Sequence, residues 1–80
     1  MAVIHVRTFD TASGAEVPAT GLRTGSPEAA AEQAIRLNGS YSAPGYITKI
    51  LYSGDFTDPA FAELSQLVQQ HGLHLDVGDA

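Results

Sequence analysis

Gly21-Leu22-Arg23-Thr24-Gly25-Ser26-Pro27-Glu28-Ala29-Ala30-Ala31-Glu32-Gln33-Ala34-Ile35 decides the architecture of the first half of this chain. It reads as the end of a strand, a glycine turn and a capped helix start. The Ser26 hydroxyl can accept from a backbone N–H that the first helical turn leaves without a partner. Pro27 has no N–H to lose at the first helical position. Glu28 stands at the positive end of the helix dipole. The helix is predicted to run to about Asn38 and to stop at Gly39 in a left-handed conformation. Its inner side is predicted to be Ala30, Ala31, Ala34, Ile35 and Leu37, with alanines permitting close approach to a sheet.

Upstream, Ala2, Ile4, Val6 and Thr8 alternate with Val3, His5, Arg7 and Phe9. A period of two with β-branched residues predicts a strand with one better-buried face. Residues 10–14 form a polar turn. A second extended segment is predicted from Ala15 to Arg23, hairpinned onto the first. Pro18 cannot donate to a ladder, which places that strand at an edge or at a bulge.

Downstream, a loop precedes a third strand over Tyr46 to Ser53, apolar on both faces and therefore central. Asp58-Pro59 opens a second helix. Phe61, Leu64, Leu67, Val68 and His71 recur at spacings of three and four, and Gly72 ends it. Leu73, Leu75 and Val77 then alternate as a short last strand. The order is ββαβαβ. Strand–helix–strand crossovers are right-handed, so the expected fold class is an α+β two-layer sandwich. It has a four-stranded mixed sheet with two helices on one face. The expected core is Ile4, Val6, Val17, Ala34, Ile35, Ile50 or Leu51, Leu64, Val68 and Leu75. The other sheet face is expected to stay partly open, with His5, Arg7 and Phe9 beside Tyr46 and Tyr52.

Eighty residues make one small domain, residues 1–80. Such a chain buries only ~60% of the surface its unfolded form exposes. A partner, or a homodimer contact, would add to its stability. There is no cysteine, which excludes disulfides and thiolate metal sites. Residues 1–6 are too short for a signal-peptide core, and no apolar run approaches the ~20 residues of a membrane span. The expectation is a cytoplasmic protein with no membrane partner.

Nine carboxylates face four cationic residues, for a net charge of −5. Nucleic acid is bound chiefly through Lys and Arg, so Arg7, Arg23, Arg36 and Lys49, scattered along the chain, make a poor footprint for it. Arg7, Phe9 and the tyrosines resemble a stacking platform for single strands, but the charge and the motifs favour a protein interface. An acidic domain suits a basic partner surface.

His71, His74 and Asp76 have metal-ligand chemistry, but a helix end and a glycine separate the histidines, so no metal or other cofactor is expected. The serines sit at turns and caps, outside any Gly-x-Ser-x-Gly elbow, and no nucleophile–base–orienter set is evident. Gly21 and Gly25 lack the spacing and lysine of a phosphate cradle. The chain is therefore expected to have no catalytic residues and no enzymatic activity. The expected partner-binding residues are Phe9, Asp10 and Glu16 at the hairpin turn, and Tyr52, Asp55 and Asp58 before the second helix. An interface needs such anchors within a polar rim.

Pro18-Ala19-Thr20-Gly21 followed by Ser26-Pro27-Glu28-Ala29-Ala30 resembles HicB-type antitoxins, across about residues 2–38. That family ends its hairpin near Pro-x-x-Gly and opens an alanine-rich helix with Thr/Ser-Pro-Glu-x-Ala. Its aromatic-rich opening strands and C-terminal DNA-binding element are not visible in this chain. The resemblance implies neutralisation of a cognate toxin. In size, acidity and lack of motifs the chain is also similar to small phage-encoded inhibitors such as anti-CRISPR proteins. That likeness implies an inhibitor covering a protein surface that otherwise grips nucleic acid.

Overall fold

A computed structural model describes residues 2–77. Strand β1 (Val3–Asp10) and strand β2 (Leu22–Thr24) precede helix α1 (Pro27–Ser40). Strand β3 (Tyr46–Ser53), helix α2 (Pro59–His71) and strand β4 (His74–Val77) follow. The sheet order is β2-β1-β3-β4. β1 runs antiparallel to both of its neighbours, and β3 and β4 are parallel. The α1 and α2 crossovers therefore join parallel strands and step the same way across the sheet. With one hand of crossover, both helices fall on one face. The fold is the expected α+β two-layer sandwich, with the other sheet face open.

The helix starts follow their local chemistry. Ser26 accepts from Ala29 N, Asp58 accepts from Ala60 N, and each cap is followed by proline. Gly72 closes α2 at φ 64°, where its lack of a Cβ removes the steric penalty, and its N–H donates to Val68 O. The end of α1 differs from expectation. Gly39 stays helical and the helix closes at Tyr41, whose N–H donates to Leu37 O. The two extra residues carry Tyr41 onto the body of the domain, edge-on to Tyr46 at 5.1 Å. That contact outweighs the ~1 kcal/mol helix penalty of one glycine.

The second extended segment is also corrected. Only Leu22–Thr24 is a strand, with an isolated bridge between Phe9 and Glu16 upstream. Between them the chain turns through Pro18 and Ala19, the latter at φ 64°. Proline followed by a positive-φ residue is the arrangement of a type II turn. Thr20 Oγ1 closes it by donating to Val17 O at 2.7 Å. The segment does lie at the sheet edge.

Ile4, Val6, Ile50, Tyr52, Ala30, Ala34, Leu37 and Leu64 form the buried core, with Val68 and Leu75 partly buried against it. The β1–β3 register puts Ile4 opposite Tyr52 and Val6 opposite Ile50. Ile50, not Leu51, is thus the core member of that pair. Two expected core residues fall outside it. Val17 is only half-buried. Ile35 is 43% exposed, because the alanine stripe meets the sheet and leaves Ile35 on the flank, lining a groove with Leu67 of α2.

Candidate functional site

The expected binding residues do not form one surface. β1 and β3 pair from Val3–Ser53 at one end to Asp10–Tyr46 at the other. Phe9, Asp10 and Glu16 lie at the second end; Tyr52, Asp55 and Asp58 lie at the first. At ~3.3 Å per residue the groups are roughly 20 Å apart.

At the hairpin end one of the two carboxylates has a cationic partner. Glu16 pairs with Arg7 at 3.7 Å. The Asp10 carboxylate accepts from Ala12 N at 2.8 Å within the turn. Phe9 is half-buried and carries the Lys49 ammonium 5.7 Å above its ring.

Tyr52 is fully buried, which corrects the expectation of an exposed aromatic. Its position opposite Ile4 turns it toward the helices. Tyr46, three steps of two back along β3, shares that side. Neither tyrosine neighbours His5, Arg7 and Phe9. The Tyr52 hydroxyl instead donates to Asp55 O at 2.6 Å. Burial raises its pKa above the usual value, and Asp58 and Asp55 add to the shift.

The loop between β3 and α2 is closely bonded. Thr57 N and Thr57 Oγ1 donate to Asp55 Oδ1 at 2.8 and 2.7 Å. Asp58 N donates to Asp55 O at 3.1 Å. Asp58 Oδ1 accepts from Ala60 N at 2.9 Å. Phe56 lies between the two aspartates in sequence. It is 54% exposed, with its inner side against Tyr52 and Phe61 at centroid distances of 6.1 and 5.0 Å. This exposed aromatic, flanked in sequence by Asp55 and Asp58, is the feature that sequence reasoning missed. The available signal was a lone phenylalanine inside the polar turn Gly54–Asp58.

The Asp55 carboxyl lies below its ordinary value of 3.8, first through the Thr57 backbone N–H and then through the Thr57 hydroxyl. A folded-state pKa below the unfolded one means stabilisation that is complete above the unfolded value. It is lost as pH falls through the folded one. Asp55→Ala should therefore lower Tm near neutral pH. The gap from wild type should close below about pH 3.8, as read by thermal melts across an acid pH series. A gap independent of pH would show that the charged hydrogen bonds do not hold the loop.

The open sheet face has its own composition. Arg23, His5, Leu51 and Asp76 stand in one cross-strand row, and Arg7, Lys49 and His74 in the next. Arg7, Arg23 and Lys49, dispersed along the chain, are thus gathered in space. Six carboxylates (Asp10, Glu28, Glu32, Asp55, Asp58 and Glu63) lie off this face, with Arg36 the cation among them. Among the described residues no three His, Asp or Glu side chains converge as a metal site. His71 lies in the interhelical groove, away from His74 on the sheet. Among the same residues no helix is long and apolar enough to cross a membrane. No protein family, curated protein sequence or solved structure matches the chain.

Proposed function

We propose that this protein is a non-enzymatic inhibitor that binds another protein on a basic, nucleic-acid-gripping surface, as anti-CRISPR proteins do. The observation that carries this reading is Phe56, more than half exposed between Asp55 and Asp58 on a hydrogen-bonded loop. Aromatic anchors dominate binding energy when a polar rim excludes water around them. A loop already held in one conformation loses less entropy on binding. The aspartates speed encounter with a cationic surface. Tyr52 serves from below, as a buried support.

The test is affinity capture from a bacterial lysate with identification of the partner, followed by variants. Phe56→Ala should weaken binding by ~30-fold, about 2 kcal/mol, with the fold intact by circular dichroism. Asp55→Lys should slow association in a salt-dependent way. Asp10→Lys, at the far end of the sheet, should leave affinity unchanged. Capture of a small RNase toxin would favour the antitoxin alternative, which rests on the segments around Pro18 and Ser26. Tight binding of RNA or DNA at physiological salt, or full affinity in Phe56→Ala, would overturn the proposal.

A further inference from the structure

The open sheet face carries a charge pattern that the fold does not require. Arg7 and Lys49 are direct cross-strand partners. Like charges in that position repel and destabilise a sheet. Arg7 finds relief in Glu16, while Lys49 has no carboxylate partner among the described residues. Beside them lies a shallow cavity of about 210 Å³, its apolar lining formed by Phe9 and Leu51 and its polar lining including Arg7, Lys49 and Asp76. The face thus offers apolar contact and uncompensated positive charge together, on an otherwise acidic protein.

We infer that this face docks an extended acidic segment of a protein, with its carboxylates between Arg7 and Lys49 and its apolar side chains over Phe9 and Leu51. An incoming carboxylate gives Lys49 the partner it lacks and further reduces its repulsion from Arg7, which Glu16 already offsets in part. A nucleic-acid strand fits less well. Among the residues lining the cavity, base stacking has Phe9 and the small His5 ring, whereas Phe9 and Leu51 match the aliphatic side chains of a peptide; Glu16, Asp76 and the net charge of −5 oppose either anion alike. The inference does not depend on the Phe56 loop, which lies on the helix side at one end of the sheet.

The test uses the full chain and a fluorescent, end-blocked peptide of alternating glutamate and leucine, followed by anisotropy. An oligothymidylate of equal net charge is the second arm. The peptide should bind in low salt, weaken as salt rises from about 50 to about 500 mM, and bind more tightly than the oligonucleotide. Lys49→Glu should weaken peptide binding by at least tenfold. The same variant should raise Tm by about 2–4 °C, because it turns a like-charge pair into an opposite one. Loss of binding in a stabilised variant cannot be attributed to unfolding. Phe56→Ala should bind the peptide as wild type does, which separates this surface from the loop. Absence of peptide binding, equal or tighter binding of the oligonucleotide, or undiminished binding by Lys49→Glu would each overturn the inference.

Discussion

Leu64→Ala should cost about 2–5 kcal/mol and bring the domain close to unfolding at room temperature. Leu64 is the fully buried residue of α2, and it belongs to the same core cluster as Ile4, Ile50 and Tyr52. The rest of the helix is held by half-buried side chains, chiefly Phe61, Val68 and Leu67. A domain of this size has roughly 4–12 kcal/mol of total stability, at 0.05–0.15 kcal/mol per residue. One cavity at this position therefore removes a large share. Urea unfolding followed by circular dichroism measures it, with the midpoint falling and the slope unchanged. A loss below about 1 kcal/mol would mean that α2 closes over the gap, and that the helix is not pinned at Leu64.

The second large effect is a coupling rather than a loss. Thr8 and Thr48 are buried cross-strand partners on the helix side of the sheet, with their hydroxyl oxygens 2.8 Å apart. Either single change, Thr8→Val or Thr48→Val, leaves a buried hydroxyl without this partner and should cost about 1–3 kcal/mol. Changing both to valine removes the need for the bond and keeps the shape and the β-branching. The double variant should match or exceed wild-type stability. The double-mutant cycle then shows a coupling equal to the two single costs together, about 2–6 kcal/mol, well beyond additivity. Single costs that simply sum in the double variant would show that the hydroxyls are satisfied independently of each other.

These two sites differ in how they were legible. Thr8 falls on the buried face by its alternation with Ile4 and Val6. Leu64 falls on it by its spacing from Phe61 and Val68. Tyr46–Ser53 matches β3, and the strand–helix order follows from turns and caps alone. The exposure of Phe56 was not legible. Whether an aromatic in a turn is buried or presented depends on what packs beneath it, here Tyr52 and Phe61 from two other elements.

By itself the sequence determined the features that act within one turn or one strand. Ser26-Pro27-Glu28 and Asp58-Pro59 set the helix starts, Gly72 set the end of α2, and period two set the buried face of β1. Each depends on atoms a few residues apart, so the local chain suffices. The tertiary structure decided which way β3 faces, because only its register against β1 puts Tyr52 over Ile4 and turns Lys49 to the open side. It decided that α1 runs past Gly39 to seat Tyr41, and that Ile35 stays on the flank. It also gathered Arg7, Arg23 and Lys49 from three strands onto one surface and parted Asp10 and Glu16 from Asp55 and Asp58. Strand register is a long-range choice, made by summing contacts over the whole interface, and a shift of one residue exchanges the two faces.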